Sequence, residues 1–239
     1  MAGAGKRGRA IRELVKEGWK YPLDEAVVLV KQAAKAGFDE SVDVSVRLGV
    51  NPRQQDQMVR GAISLPHGTG KSVRVVVFAE GEAAREAEAA GADEVGADEL
   101  IAKVAGGWTE FDKAISVRTL MAKVGRLGRV LGPRGLMPNP KTGTVVGPEG
   151  VAQAVREVKG GRIDFRVERA GIVHASIGKA SMDADHIRAN LMALMQTLLR
   201  AKPASAKGSY VRSVAISSTM GPGIRLDANE LVKLAAERR

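Results

Sequence analysis

The stretch LPHGTGKSVRVVVFAEG, residues 65–81, marks the point where the chain changes from one kind of fold to another. Its glycines resemble the end of a phosphate-binding loop, but that motif requires a glycine at position 65, where the chain has Leu65. A phosphate loop also follows a strand and opens a helix, whereas these glycines precede VRVVVFA, which is typical of a buried strand. We therefore interpret residues 66–71 as a connector and not as a nucleotide site.

Before the connector, the apolar residues follow the pattern of a half-buried sheet with a helix beside it. Residues 24–35, DEAVVLVKQAAK, have helical spacing. Residues 40–50, ESVDVSVRLGV, alternate valines with polar residues, which predicts a strand with one buried face. RGAISL, residues 60–65, predicts a second strand.

After the connector, strand-like and helix-like segments alternate. The sequence predicts strands at SVRVVVFA and FDKAISV, and helices at EAAREAEAAGA, DELIAKVAGGW, TLMAKVGRLGRVLG and GPEGVAQAVREVKGG. This alternation is typical of βαβ units and a largely parallel sheet. From residue 162 onward the antiparallel style returns, with two strands in RIDFRVERAGIVHASIG, a helix, and a further strand in SYVRSVAISS.

The sequence therefore predicts an α/β protein with two domains. Both chain ends, residues 1–67 and 161–239, form a discontinuous α+β domain with an antiparallel sheet. A parallel-sheet, Rossmann-like α/β domain, residues 68–160, is inserted into it. We expect the two connectors to form a paired hinge in which glycines absorb changes of backbone angle: Gly68, Gly70, Gly160 and Gly161.

The charge of the chain is basic and unevenly distributed. The net charge is +10, yet residues 68–160 carry 13 Lys/Arg and 12 Asp/Glu, so nearly all of the excess lies in the two outer segments. This favours a polyanionic partner that binds the discontinuous domain. The basic N-terminal stretch offers only Trp19 and Tyr21 as membrane anchors, so nucleic acid is preferred to a membrane. Aromatic residues are only 3% of the chain, which favours recognition of a folded RNA over stacking along a single strand.

Other classes of protein find little support. The chain has no Cys and three widely spaced His, so no thiolate metal site is available and a reducing cytosol is the natural setting. No Ser/His/Asp spacing suggests an enzyme. A DNA-binding regulator would need a helix-turn-helix or a basic recognition helix. GPRG, residues 132–135, is a GxxG loop, but KH domains require that loop between two helices.

Several long, irregular segments resemble the bacterial large-subunit (50S) ribosomal protein L-one family, the stalk protein. The most specific are LGRVLGPRGLMPNPKTGTV, residues 127–145, and SSTMGPGIRL, residues 217–226. FDESVDVSVRLGVNPRQQDQMVRG, LPHGTGK and GKAS match as well, so that the resemblance extends from Lys6 to Leu226. The family has the same two-domain layout with an inserted parallel domain.

The resemblance implies a structural protein, not an enzyme, that binds large-subunit (23S-type) rRNA and forms the mobile stalk beside the tRNA exit site. It implies a role in release of deacylated tRNA. Free protein, expected to be a monomer, would also repress translation by binding the mRNA of its own operon. No cofactor, metal or membrane is expected, and the expected location is the cytoplasm, in the large ribosomal subunit.

The resemblance also implies which residues touch RNA. Phe38 matches a family contact residue, and Thr219, Met220 and Gly221 match the most characteristic RNA-facing triplet. The Thr219 hydroxyl suits a 2′-OH or phosphate, Met220 a flexible apolar cap over a sugar or base, and Gly221 a close backbone approach. Ser41 adds a candidate hydroxyl. By its position alone, without the resemblance, Met220 is better explained as a core residue in an ordinary turn at the end of a strand.

Cationic candidates are less specific. The family often has Lys just before the Phe, where this chain has Gly37, so that either Lys35 substitutes for that charge or the contact is absent. The remaining candidates for phosphate contact are Arg53, Arg166 and Arg169, with Lys6, Arg7 and Arg9 in the N-terminal stretch. Each of these could also be an ordinary solvated charge.

Overall fold

The computed structural model of the chain describes residue 11, residues 13–16 and residues 18–237. They form two compact units. Unit 1 comprises the described residues up to Gly70 and those from Ile163 onward, and unit 2 is Lys71–Arg162. The α/β fold class predicted from the sequence is confirmed. The sequence places the boundaries at 67/68 and 160/161, and the units divide at 70/71 and 162/163.

The strands, in chain order, are β1 (Ser41–Leu48), β2 (Arg60–Ser64), β3 (Val75–Phe78), β4 (Glu94–Gly96), β5 (Lys113–Val117), β6 (Val145–Val146), β7 (Arg162–Arg166), β8 (Ile172–Lys179), β9 (Val211–Ser218) and β10 (Ile224–Leu226). The helices whose bounds the structure gives are α1 (Leu23–Ala33), α2 (Glu82–Ala89), α3 (Asp98–Ala105), α4 (Met121–Val124), α5 (Gly128–Leu131), α6 (Val151–Lys159), α7 (Ala184–Arg200) and α8 (Ala228–Glu237).

Unit 1 is built on a four-stranded antiparallel sheet in the order β10-β9-β1-β8. Val42, Val44 and Val46 of β1 are buried, as the alternation of the sequence predicts. α1, α7 and α8 contribute their apolar faces to the same core. β2 and β7 form a separate two-stranded sheet, in which Phe165 packs against Gly61 and leaves no room for a side chain there.

Unit 2 has a parallel sheet in the order β4-β3-β5-β6. All four residues of β3 are buried because both faces of the sheet are covered. One face packs on α2 and α6, and the other on α3 and the helical turns that follow β5. The short strand β4, which pairs parallel with β3, was not indicated by the sequence pattern.

The segment 119–132, TLMAKVGRLGRVLG, is predicted as one helix but is broken in the structure. It consists of α4 and α5 with single 3₁₀ turns before each of them. Gly125 and Gly128 lie at the breaks, where the missing side chain lowers helix propensity. Leu120, Val124, Leu127 and Leu131 remain buried, so the apolar face survives although the regular helix does not.

The connector at residues 66–70 is tied to unit 1. The buried Asn190 accepts the backbone N–H of His67 (3.1 Å) and donates from its amide to the carbonyls of Gly68 (2.8 Å) and Ile177 (2.8 Å). Gly68 and Gly70 both have positive φ, at 63° and 70°, which favours glycine. The hinge stays a prediction, and these contacts restrict its first half to residues after Gly68.

The other predicted hinge residues end a helix of unit 2. Gly160 follows the last residue of α6, and Gly161 has a φ of 94°. Lys71, the residue that resembles a phosphate-loop lysine, is paired with Asp112 at 2.6 Å. Its ammonium group therefore has a partner within unit 2, which agrees with the interpretation of this stretch as a connector.

Candidate nucleic-acid interface

Two half-exposed apolar side chains flank the point where β1 begins and β9 ends. β1 and β9 pair antiparallel, so the first residue of one strand adjoins the residue after the other. Phe38 precedes β1 and Met220 follows β9, and each is 55% exposed. The structure thus places Met220 on the surface and not in the core, which decides between the two alternatives for this residue. We call Phe38, Ser41, Thr219 and Met220 the β1-start surface.

A buried carboxylate fixes the two loops of the β1-start surface. Glu40 is 1% exposed. One of its oxygens accepts the backbone N–H of Ala36 (2.8 Å), and the other accepts the backbone N–H of Met220 (2.9 Å). Hydrogen bonds to a charged acceptor are stronger than neutral ones. Glu40 therefore joins the loop before β1 to the turn after β9, and sequence reasoning did not single it out.

The Thr219 hydroxyl is partly used within the protein. Its oxygen accepts the backbone N–H of Ser41 at 3.0 Å and lies 3.4 Å from the carbonyl oxygen of Ser41. The backbone N–H of Thr219 also donates to that carbonyl, at 3.1 Å. A hydroxyl has one donor and two acceptor sites, so one acceptor site remains for an outside donor such as a 2′-OH. Contact between Thr219 and RNA stays a prediction.

Gly221 is required by the turn itself. A Cβ atom at this position would meet the side-chain oxygen of Ser218 at 2.4 Å and Ala33 at 3.7 Å. The backbone N–H of Gly221 donates to the carbonyl of Ser218 at 3.1 Å, which closes the turn. This close packing explains the glycine without any reference to RNA, and it holds Met220 at the tip of the turn.

Two lysines lie beside the β1-start surface. The amino group of Lys179, the last residue of β8, donates to the Ser41 hydroxyl (3.0 Å) and to the Asp39 carbonyl (3.2 Å). Lys179 belongs to the GKAS segment but was not predicted as a site residue. The Asp39 carboxylate is bound by the hydroxyl and the backbone N–H of Ser181. Lys35 is exposed in the loop that precedes Phe38.

The three predicted arginines lie together, but at the other end of β1. Arg53, Arg166 and Arg169 line an open cavity of about 710 Å³, which we call the arginine cavity. Its remaining walls are Pro52, Met58, Val167 and Glu168. Because β1 has eight residues, roughly 25 Å separate this cavity from the β1-start surface. The predicted RNA-binding residues therefore form two surfaces of unit 1 and not one.

Known proteins were compared with the chain. The profile of the Ribosomal protein L1p/L10e family matches residues 29–222. Proteins named large ribosomal subunit protein uL1 from two strains of Corynebacterium glutamicum, strain R and strain ATCC 13032, are each 55% identical to the chain. Each comparison covers 99% of this chain and 100% of the relative. This chain belongs to the ribosomal protein L1p/L10e family.

The family match includes both surfaces. The L1p/L10e region runs from within α1 to Pro222, and so contains Phe38, the arginine cavity and the turn that carries Met220. The family membership expected from residues 127–145 and 217–226 is confirmed. The predicted candidates Lys6, Arg7 and Arg9 lie outside the described residues.

Neither a metal-ligand cluster nor a membrane-spanning helix occurs in the part of the chain that the structure describes. Within residues 11, 13–16 and 18–237, no cluster of three or more His, Asp or Glu is arranged to hold a metal ion. Over the same described ranges, no helix has both the length and the apolar character needed to cross a bilayer.

Proposed function

We propose that this chain is a structural component of the cytoplasmic large ribosomal subunit, and that it binds 23S-type rRNA through the β1-start surface. The observation that carries the proposal is the pair of half-exposed side chains, Phe38 and Met220, held in place by Glu40. A surface of this kind is prearranged, so little conformational freedom is lost when RNA binds. The family membership supports rRNA as the partner.

The chemistry of the β1-start surface suits folded RNA. The ring of Phe38 offers a stacking face for an unpaired base, and the thioether of Met220 adapts to the irregular surface of a sugar. Lys35 and Lys179 supply positive charge near phosphates. The four residues that define this surface include two hydroxyl groups, Ser41 and Thr219, but no His, Asp or Glu that could activate them, which supports a binding role.

The arginine cavity supplies a second surface for a polyanion. Arg guanidinium groups bind phosphates through two parallel hydrogen bonds, and three of them line this cavity. We infer that it contacts the backbone of deacylated tRNA at the exit site, while the β1-start surface holds rRNA. A distance of roughly 25 Å between the surfaces allows both RNAs to bind unit 1 together.

Free protein would use the β1-start surface on the mRNA of its own operon. Because rRNA and this mRNA would compete for the same residues, the mRNA would be bound, and its translation repressed, only when rRNA is saturated.

The stalk function adds a hinge between the units after Gly68 and near Gly161, where positive φ angles favour glycine. Labels placed in the two units of the free monomer should give a broad distance distribution, and a single narrow one would contradict the hinge.

The test of RNA binding uses the full chain and 23S-type rRNA transcribed in vitro. Phe38→Ala combined with Met220→Ala should lower affinity by at least tenfold and leave the melting temperature nearly unchanged, because both side chains are half exposed. Val28→Ala is the matched control, since Val28 is an exposed apolar residue of α1 outside the surface. If the double variant binds rRNA as tightly as the control, the β1-start surface is not the rRNA site.

The finer roles are tested separately. The double variant should lose the operon mRNA as well, whereas Arg53→Gln with Arg169→Gln should weaken tRNA binding and spare rRNA. Equal loss of rRNA and tRNA in the arginine variant would show that the arginine cavity belongs to the rRNA site.

A further inference from the structure

Trp19 is an exposed aromatic residue on a fixed segment. It is 59% exposed, more than any other large apolar side chain among the described residues. Tyr21, two residues later, is buried and its backbone N–H donates to the carbonyl of Arg225 at 2.8 Å. The Tyr21 hydroxyl accepts the backbone N–H of Lys16 at 2.8 Å. The segment is thus attached to the edge strand β10, and the indole projects from an anchored position.

An open cavity of about 420 Å³ lies against the indole, which we call the Trp19 cavity. Its volume is within the range of sites that hold small ligands. Its other lining residues are Val15, Lys16, Gly18, Pro222, Gly223 and Arg225. The described lining residues therefore combine one aromatic face with two cations, Lys16 and Arg225.

The acidic residue that follows Arg225 most closely in the chain, Asp227, is engaged elsewhere. The Asp227 carboxylate accepts the backbone N–H groups of Asn229 and Glu230 at the start of α8. These two bonds hold the pKa of Asp227 below its usual value. The Asp227 carboxylate is thus directed to the start of α8.

The Trp19 cavity continues the β1-start surface. Pro222 and Gly223 belong to the turn between β9 and β10 that presents Met220. A nucleotide adjacent to one bound at Met220 would therefore reach the cavity. The indole offers a stacking face, and Lys16, whose amino group is 5.9 Å from the centre of the indole ring, would stand beside the phosphate.

We propose that the Trp19 cavity holds one unstacked nucleotide of the bound RNA, with its base on the indole and its phosphate at Lys16 and Arg225. The proposal rests on RNA binding by the β1-start surface. A lipid surface is the less favoured occupant, because membrane insertion needs several bulky apolar groups and the cavity presents one.

The experiment uses Trp19 as its own reporter. The chain has two tryptophans, so Trp108→Phe leaves Trp19 as the only indole. Addition of in vitro transcribed 23S-type rRNA should quench the fluorescence of Trp19 through stacking. Vesicles with anionic headgroups should leave it unchanged, and quenching by vesicles but not by RNA would overturn the proposal.

Affinity measurements separate stacking from charge. Trp19→Ala should weaken rRNA binding by about 5- to 140-fold, the range expected for one stacked base, and should leave the salt dependence intact. Trp19→Phe should restore most of the affinity, whereas Trp19→Leu, which keeps apolar bulk, should not. Arg225→Gln should reduce the slope of log affinity against log salt by about one.

The possible failures are distinguishable. If the Phe38/Met220 double variant loses rRNA but Trp19→Ala binds normally and the Trp19 fluorescence does not change, the Trp19 cavity is empty in the complex and the proposal is wrong while the proposed function stands. If the wild-type chain does not bind rRNA at all, the proposed function itself fails.

Discussion

Replacement of Glu40 by Gln tests how the β1-start surface is held together. The carboxylate accepts two backbone N–H groups, from Ala36 and Met220, at 2.8 and 2.9 Å. A glutamine side chain keeps the shape but can accept only one of them through its oxygen, because its amide nitrogen is a donor. The other backbone N–H would then face a second donor inside the protein.

The loss amounts to one hydrogen bond to a charged, buried group. Such a bond contributes about 1.5–3 kcal/mol to the free energy of unfolding. For a chain of this size, each kcal/mol corresponds to a change of about 2–4 °C in melting temperature. We therefore expect Glu40→Gln to melt about 3–12 °C lower than the wild type. Because the turn that carries Met220 loses its anchor, rRNA affinity should fall as well, even well below the melting temperature.

Heat-induced unfolding followed by circular dichroism measures the first effect. Glu88→Gln is the matched control, since Glu88 is exposed on α2 of unit 2 and its replacement should change the free energy of unfolding by less than about 0.5 kcal/mol. The reasoning is refuted if Glu40→Gln melts like the control, because Glu40 would then not hold the two loops.

Three further predictions concern single contacts. The hydroxyl of Tyr210 is buried without a hydrogen-bond partner among the described residues, and burial raises its pKa to about 12. In denaturant titrations, Tyr210→Phe should stabilise the chain by about 1 kcal/mol, and it should not show the loss of stability that the wild type shows between pH 10 and 12. A destabilised variant would contradict the assignment. The Lys71 ammonium, and then the backbone N–H of Arg74, lower the pKa of Asp112. Lys71→Ala should therefore reduce stability above about pH 4, and its difference in stability from the wild type should vanish as the pH falls below that lowered pKa. Equilibrium dialysis of the same variant should show no change in ATP or GTP binding, and loss of a saturable nucleotide site would revive the phosphate-loop interpretation. Thr219→Val leaves the backbone N–H of Ser41 without its side-chain acceptor and should cost about 1 kcal/mol of stability, measured by urea unfolding, with an unchanged midpoint counting against that bond.

Much of the fold is present in local patterns. The valines at every second position of β1 predict a strand with one buried face, and the β-branched run of β3 predicts a strand buried on both faces. Both patterns can be read from consecutive residues of the chain. The shift from antiparallel to alternating segments near residue 66 predicts the inserted unit. The breaks within residues 119–132 were not predicted, because the apolar spacing of a helix persists there and Gly125 and Gly128 interrupt only the backbone.

The candidate site depends on contacts that no local pattern contains. The sequence by itself determined the basic character of the outer segments and, through the long motifs, the family and the residue types of the surface. Only the tertiary structure decided that Met220 is exposed and that Glu40 accepts the backbone N–H of Met220. It also placed the three arginines of the arginine cavity at the opposite end of β1. Glu40 and Met220 are 180 residues apart in the chain. The antiparallel register of β1 with β9 brings them together, and that register is a property of the assembled core.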